Sequence, residues 1–252
     1  KSGGNVRMNL TGQVFTTMFG LATDEQVLAS YHSCQKYLKD PHTGGYKLNT
    51  PLGPNKLNFG RGFSFAYGEK ENGATFSHMV VMYVNALYKR GFVTEAYEVF
   101  SSIYDLCMDA QNSKIYPGIP EYFSLSGKGM YHYLTGSASW LFLTILTEMY
   151  GVKGELGNLL IAPKLEGSQF DDAGNTYIET QFADKQLRIS YINMAHKNYN
   201  QYRISQVLIN DKPASELMGV VVKDKTVLID RTLIGTLASM NSDYISIQIY
   251  LD

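Results

Sequence analysis

The sequence predicts an α+β multidomain chain in which a helical part, residues 1–155, precedes a β-sandwich part, residues 156–252. Before residue 155 the apolar residues recur mainly at helical spacing, and after it they alternate with polar residues as in strands. Two helical segments, 78–90 and 138–150, are apolar almost all round, which indicates an inner layer that other elements cover. A chain of 252 residues is long enough to bury a core in each part.

The helical part contains five segments with helical spacing, at about 9–22, 24–39, 78–90, 95–109 and 138–150. An irregular stretch from about residue 41 to 76 separates the second segment from the third. Thr23 followed by Gln26 is the pattern of a capping box, in which each residue satisfies an amide of the other. The apolar face of the helix that follows consists of Val27, Tyr31, Cys34 and Leu38.

The β part contains two hairpin patterns and a C-terminal strand. The segment "NTYIETQFADKQLRISYINM" has two β-rich runs around a polar turn at Asp184 and Lys185. The segment "VVVKDKTVLID" has the same pattern around Asp224. The last segment alternates, with an apolar face of Ile245, Ile247, Ile249 and Leu251. Short strands joined by polar turns predict an antiparallel sandwich, which "VKGELGNLLIAPKL" connects to the helical part.

Composition and charge argue against several classes of partner. The net charge is −1 without a basic cluster, so we expect no nucleic acid partner. The longest strongly apolar stretch, Trp140 to Leu146, is far shorter than a membrane span, and we expect no membrane partner. Cys34 and Cys107 lie in helical patterns, which suits a reducing compartment and predicts a cytoplasmic protein. No metal site is expected, because the five histidines are scattered: His32, His42, His78, His132 and His196.

The turn ahead of the last helical segment has the features of an anion site. Thr135, Gly136 and Ser137 precede an apolar helix whose N-terminus carries unpaired amides and partial positive charge. The two hydroxyls add donors, and Gly136 has no Cβ to keep a ligand from the main chain. The alternative is that Ser137 only caps a helix that starts near Ala138.

A second helix start has similar features. Asn72 and Gly73 form a strong turn signal, and His78 stands where the next helix begins. A histidine there can donate to a phosphate oxygen, and the alternative is a histidine that caps or packs. The alternating charges Glu69, Lys70 and Glu71 precede the turn and are typical of a solvated face.

Several of these segments resemble one family of enzymes. The segments "KENGATFSH", "YPGIPEYFSLSGKGMYHYLTGSASW" and "YGVKGELGNLLIAPKL" resemble the C-terminal half of the inverting glycoside phosphorylases related to cellobiose phosphorylase. The segment "GRGFSFAYGEKENG" resembles the branch that acts on β-1,2-linked glucans, the sophorose and 1,2-β-oligoglucan phosphorylases. The resemblance implies that residues 1–155 form the C-terminal half of an (α/α)₆ barrel and that residues 156–252 form a jelly-roll-like β-sandwich.

The resemblance also implies roles for individual residues. His78, Thr135 and Gly136 match positions that hold inorganic phosphate in the family, and Ser137 belongs to the same turn. Lys70 and Glu71 match a pair beside the sugar. Glu121, in "GIPEYF", has no clear counterpart, and we expect it to line the wall of the sugar cleft.

The implied reaction is inverting phosphorolysis, a glycosyltransferase-type reaction in which phosphate is a co-substrate and no cofactor takes part. A carboxylic acid protonates the glycosidic oxygen of a β-glucan oligosaccharide while phosphate attacks the anomeric carbon, which gives α-glucose 1-phosphate. In the family the general acid is an Asp upstream of anything that matches this chain. We therefore expect a C-terminal fragment without a catalytic residue of its own.

Two other functions stay open. An inverting hydrolase would use two of Glu69, Glu71 and Glu121 as acid and base. Alternatively, the chain is an inactive domain that binds phosphate or sugar. Whatever the function, a half-barrel of apolar helices should leave a hydrophobic face open. We therefore expect self-association unless the β part covers this face.

Overall fold

The computed structural model describes residues 6–53, 60–115, 118–132, 135–237 and 244–252. The chain forms two compact units, Lys1–Thr144 and Ile145–Asp252. Helices dominate the first unit and strands the second, as in the predicted α+β arrangement. The assignment of two domains meeting at residues 155 and 156 stays a prediction.

The helices of the first unit are α1 (Leu10–Met18), α2 (Asp24–Tyr37), α3 (Ser77–Arg90), α4 (Val93–Met108), α5 (Ala110–Ser113) and α6 (Gly136–Thr144). The capping box at the start of α2 is confirmed, because the Gln26 amide donates to Thr23 Oγ1 and the Thr23 amide to Gln26 Oε1. Helix α1 ends at Met18, earlier than predicted, and Gly20 just beyond it has a φ of 67°. Such a left-handed residue ends a helix because the next turn cannot continue.

Helix α3 is the central helix of the first unit. It packs against α1, α4 and α6, and its residues from Val80 to Tyr88 are all buried. The prediction of a covered helix is therefore confirmed for this segment. Helix α6 differs, because Phe142 is 66% exposed and Leu143 is 49% exposed.

The predicted helix 138–150 has a different form in the structure. Helix α6 begins at Gly136, and the second unit opens with a π-helix, Ile145–Met149. The wider turn is closed by a bond from the Tyr150 amide to the Ile145 carbonyl.

A small antiparallel sheet lies in the first unit. Its strands β1 (Thr75–Phe76), β2 (Tyr122–Phe123) and β3 (Gly129–Met130) are ordered β1-β2-β3. The sequence patterns did not indicate these two-residue strands, which lie in or beyond the stretch predicted as irregular. Residues 54–59 of that stretch lie outside the described residues. Because β1 leads directly into α3, this sheet fixes where α3 begins.

The described residues of the second unit form two sheets. The strands are β4 (Val152–Glu155), β5 (Asn158–Ile161), β6 (Asn175–Phe182), β7 (Lys185–Ile192), β8 (Ile204–Ile209), β9 (Lys212–Pro213), β10 (Val220–Lys223), β11 (Thr226–Ile229) and β12 (Ile245–Leu251). One sheet has the order β10-β11-β5-β4 and the other has the order β6-β7-β12-β8-β9. A short helix, α7 (Arg231–Thr236), follows β11.

Both predicted hairpins, β6-β7 and β10-β11, are present and antiparallel. The predicted apolar face of β12 is buried at all four positions. Strand β12 nevertheless pairs in parallel with β7 and antiparallel with β8, so the five-stranded sheet is mixed. The jelly-roll topology stays a prediction.

Candidate functional site

Helices α3 and α6 lie side by side and run in the same direction. A Cβ added at Gly136 would lie 2.9 Å from Cε1 of His78, which places the starts of the two helices together. Two turns further along, Asn85 Nδ2 donates to Thr144 Oγ1 over 3.1 Å in the buried interface. The order of these contacts is the same along both helices, so the helices are parallel. Their positive N-terminal ends therefore adjoin.

Gly136 makes room for the imidazole of His78. All three of the nearest atoms to an added Cβ belong to this ring, at 2.9 to 3.4 Å. The ring centroid of His78 also lies 6.4 Å from that of Trp140. His78 therefore fills the space that a side chain at residue 136 would need. This packing explains the glycine, and the sequence pattern alone did not indicate it.

Thr135 is the residue that caps α6. The Ser137 amide donates to Thr135 Oγ1 over 3.3 Å, and the Ala138 amide donates to the Thr135 carbonyl over 3.3 Å. The hydroxyls of Thr135 and Ser137 are 3.0 Å apart. The alternative that Ser137 caps the helix is therefore wrong, because Ser137 is buried in the first turn.

No side chain of the described residues caps the start of α3. The Ser77 amide donates to the carbonyl of Glu121 over 3.0 Å. The Ser77 hydroxyl and His78 Nε2 are buried, and neither has a hydrogen-bond partner among the residues that the structure describes. Burial lowers the pKa of His78, which favours the neutral imidazole. A buried ring nitrogen without a hydrogen-bond partner costs free energy. An anion at this place would supply that partner.

The turn that carries Lys70 and Glu71 is held by two buried asparagines. Asn72 Nδ2 donates to the Phe65 carbonyl over 2.9 Å, and Asn49 Oδ1 accepts from the Gly73 amide over 3.0 Å. Lys70 has a φ of 43°, a left-handed conformation that is rare outside glycine. Buried amide groups on both sides therefore fix this strained turn.

Lys70 and Glu121 come together, although 51 positions separate them in the sequence. Lys70 Nζ lies 4.0 Å from Glu121 Oε2 and 4.1 Å from the ring centroid of Tyr131. Glu71 is half-buried, and its Cβ lies near the place that a Cβ on Gly62 would occupy. Sequence reasoning missed Tyr131, because an aromatic residue between motifs carries no specific signal.

Glu121 connects the two groups of residues. Its carbonyl accepts from the first amide of α3, and its side chain faces Lys70. Next to it, the Tyr122 hydroxyl donates to Glu69 Oε2 over 2.6 Å, and burial together with this bond raises the pKa of Tyr122. Glu121 and Tyr122 therefore contact both the start of α3 and the turn that carries Lys70.

Within the described ranges, no group of three or more His, Cys, Asp or Glu side chains is arranged to hold a metal ion. The same residues include no helix with the length and apolar character of a bilayer span.

Comparisons with known proteins give relatives that are considerably longer than this chain. Over 174 residues the chain is 24% identical to a cellobionic acid phosphorylase from Neurospora crassa, an alignment that covers 64% of this chain and 22% of the relative. Over 173 residues it is 26% identical to the cyclic beta-(1,2)-glucan synthase NdvB from Rhizobium meliloti, covering 64% of this chain and 6% of the relative. The chain thus spans about a fifth of the first relative and much less of the second.

A solved structure titled "Sialidase" resembles the fold with a TM-score of 0.55 and 12% identity, over 91% of this chain and 21% of the other. This likeness concerns the fold alone. The family comparison is more specific, because a profile of the catalytic domain matches more than half of the chain. The chain belongs to the glycosyl hydrolase 94 superfamily, whose catalytic domain it matches over residues 2–151.

Proposed function

We propose that this chain is the C-terminal part of a carbohydrate phosphorylase that cleaves a β-glucoside with inorganic phosphate and inversion, giving α-glucose 1-phosphate. The superfamily match and the relative named as a phosphorylase support this class of reaction. The relative named as a cyclic β-(1,2)-glucan synthase supports β-1,2-linked glucooligosaccharides as the substrates. In this proposal the helical part is half of an (α/α)₆ barrel, the β part is a jelly-roll-like sandwich, and the protein acts in the cytoplasm.

The observation that carries the proposal is the pair of adjoining helix starts. Two parallel helices present their positive ends together, and a buried His78 Nε2 lacks a partner among the described residues. Phosphate is an anion with several acceptor oxygens, so it suits both features. We assign phosphate binding to His78, Thr135, Gly136 and Ser137.

Phosphorolysis needs only one carboxylic acid from the protein. Phosphate is already charged and requires positioning more than activation by a base. One phosphate oxygen forms a bond to the anomeric carbon while the glycosidic bond breaks, and the departing oxygen takes a proton from the acid. We propose that this acid lies in a part of the protein outside this chain.

The sugar side of the proposed site is the group around Lys70. Lys70 and Glu121 provide a cationic donor and an anionic acceptor 4.0 Å apart, which suits sugar hydroxyls that both donate and accept. Glu71 lies next to Lys70 on the same turn and is assigned to the sugar as well. The substrates are therefore an oligosaccharide and inorganic phosphate.

The test is the product formed by the complete protein from sophorose or a longer β-1,2-glucooligosaccharide. With phosphate present, we expect α-glucose 1-phosphate in amounts equal to the bonds broken. Release of free glucose at the same rate with and without phosphate would instead establish a hydrolase. Binding of phosphate or sugar without turnover would establish an inactive binding domain, and either outcome would refute the phosphorylase proposal.

A further inference from the structure

Lys70 and Tyr131 are two residues with strained backbones whose side chains meet. Their φ angles are 43° and 55°, in the left-handed region that residues other than glycine seldom adopt. Such conformations persist only where the surrounding structure determines them, and they cluster at functional sites. Here the two lie in separate segments, the turn before α3 and the exit from β3.

The Tyr131 ring attracts the Lys70 ammonium through a cation–π contact, which uses none of the ammonium's N–H donors. Lys70 Nζ lies 4.1 Å from the ring centroid of Tyr131 and 5.7 Å from that of Phe65. Both distances are within the range of about 6 Å in which an aromatic ring attracts a cation. The distance of 4.0 Å to Glu121 Oε2 exceeds the hydrogen-bond limit of about 3.2 Å. These three contacts therefore use none of the ammonium N–H donors, which can serve a ligand.

Tyr131 is itself fixed from two sides. Its carbonyl accepts from the Glu121 amide over 3.0 Å, and its ring centroid lies 6.0 Å from that of Tyr122. Tyr122 in turn is bonded to Glu69, the neighbour of Lys70. Tyr131 is nevertheless 40% exposed, so it is not buried in the core.

We propose that Tyr131 is a positioning residue that holds the Lys70 ammonium toward the sugar, and so sets the affinity for the glucoside rather than for phosphate. This inference rests on the proposed function, because it takes a sugar hydroxyl as the partner of Lys70. Tyr131 acts through Lys70 with the face of its aromatic ring.

The matched variants are Tyr131→Phe and Tyr131→Leu in the complete protein. Both replacements are unbranched at Cβ and meet the same backbone strain, but only Phe retains an aromatic face. We expect Tyr131→Leu to raise the KM and the calorimetric Kd for sophorose about 3- to 30-fold, the range of a cation–π contact. The KM of the Tyr131→Leu variant for phosphate should change less than twofold. The Tyr131→Phe variant should keep the sugar affinity of the original protein.

A double-mutant cycle tests whether Tyr131 acts through Lys70. In the Lys70→Met background the ammonium is absent, so we expect Tyr131→Leu to have no further effect on the Kd for sophorose. Additive losses would overturn the positioning role. Equal affinities of the Phe and Leu variants would overturn it as well.

Calorimetry without phosphate separates this inference from the proposed function. If the protein binds sophorose but forms no α-glucose 1-phosphate, the phosphorylase proposal fails, and the comparison of Tyr131→Phe with Tyr131→Leu still decides the role of Tyr131. If the protein binds neither sophorose nor longer β-1,2-glucooligosaccharides, the inference is overturned. If it turns them over and Tyr131→Leu leaves the KM unchanged, only the inference fails.

Discussion

At the scale of single residues, the proton on His78 responds to opposing influences. Burial favours the neutral ring, whereas the adjoining helix starts attract an anion that would favour the charged one. His78 Nε2 has no hydrogen-bond partner among the described residues, which makes His78 the most direct probe of the proposed phosphate site.

The first prediction is that His78→Ala weakens phosphate binding and leaves folding largely intact. Loss of a charge-assisted hydrogen bond of about 1.5–3 kcal/mol should raise the KM for phosphate by at least tenfold. Steady-state kinetics of the complete protein at saturating sugar would measure it. The control is His32→Ala, since His32 is exposed on α2. An unchanged phosphate requirement in the His78 variant would contradict the assignment.

The second prediction concerns pH. Burial lowers the pKa of His78 below its ordinary value of 6.5, so the unfolded chain takes up the proton first on acidification. The stability that neutral His78 contributes is therefore full above about pH 6.5 and is lost as the pH falls through that value toward the folded-state pKa. Bound phosphate should raise the pKa, because an anion favours imidazolium.

An NMR titration of the histidine resonances, assigned with His78→Gln, checks both parts of this prediction. We expect a midpoint below 6.5 without phosphate and an upward shift when phosphate is added. A midpoint that phosphate does not move would mean that the anion binds elsewhere.

At the scale of elements, Gly136 is the position where α6 and the His78 ring meet. The third prediction is that Gly136→Ala raises the KM for phosphate, because the new Cβ would lie 2.9 Å from the ring and force it to move. The control is Gly12→Ala in α1, where an added Cβ meets nothing within 4 Å. That variant should gain up to about 1 kcal/mol of stability from helix propensity. Equal phosphate affinities of the two variants would refute the close approach.

The elements differ in how far the sequence could predict them. The capping box at Thr23 and the hairpins of the second unit depend on neighbouring residues, and local patterns indicated both. The parallel pairing of β12 with β7 and the parallel alignment of α3 with α6 bring together residues more than 50 positions apart in the sequence. Local periodicity carries no information on such pairings.

In the candidate site, too, local sequence predicted some features, and others depend on contacts between distant segments. Individual residues such as His78 and Gly136 were identified from motifs and a family resemblance. Their direct contact, the cap provided by Thr135, and the meeting of Lys70 with Tyr131 depend on the packing of separate segments. The sequence could therefore indicate these candidate residues but not their geometry.

At the scale of the whole molecule, the apolar surface of α6 bears on assembly. Phe142 is 66% exposed, and Leu143 beside it is about half exposed. The fourth prediction is that the isolated 252-residue chain self-associates through this surface, because contiguous exposed apolar patches promote contact between copies. Phe142→Glu should lower the associated fraction without lowering the Tm.

Light scattering across a concentration series measures the association. The matched control is Leu21→Glu, at an apolar residue that is 74% exposed between α1 and α2. A monomer at high concentration that binds no hydrophobic dye would contradict the predicted self-association and the proposed half-barrel. If Leu21→Glu disrupted association as strongly as Phe142→Glu, the contact would not be specific to α6.

The central claim is that phosphate binds where α3 and α6 begin. Its most direct test is a crystal structure of the complete protein with arsenate, a phosphate analogue whose anomalous scattering marks its position. We expect arsenate within hydrogen-bond distance of His78 Nε2 and of the first turn of α6. Arsenate bound at another place, with His78 Nε2 bonded instead to a protein group, would contradict it.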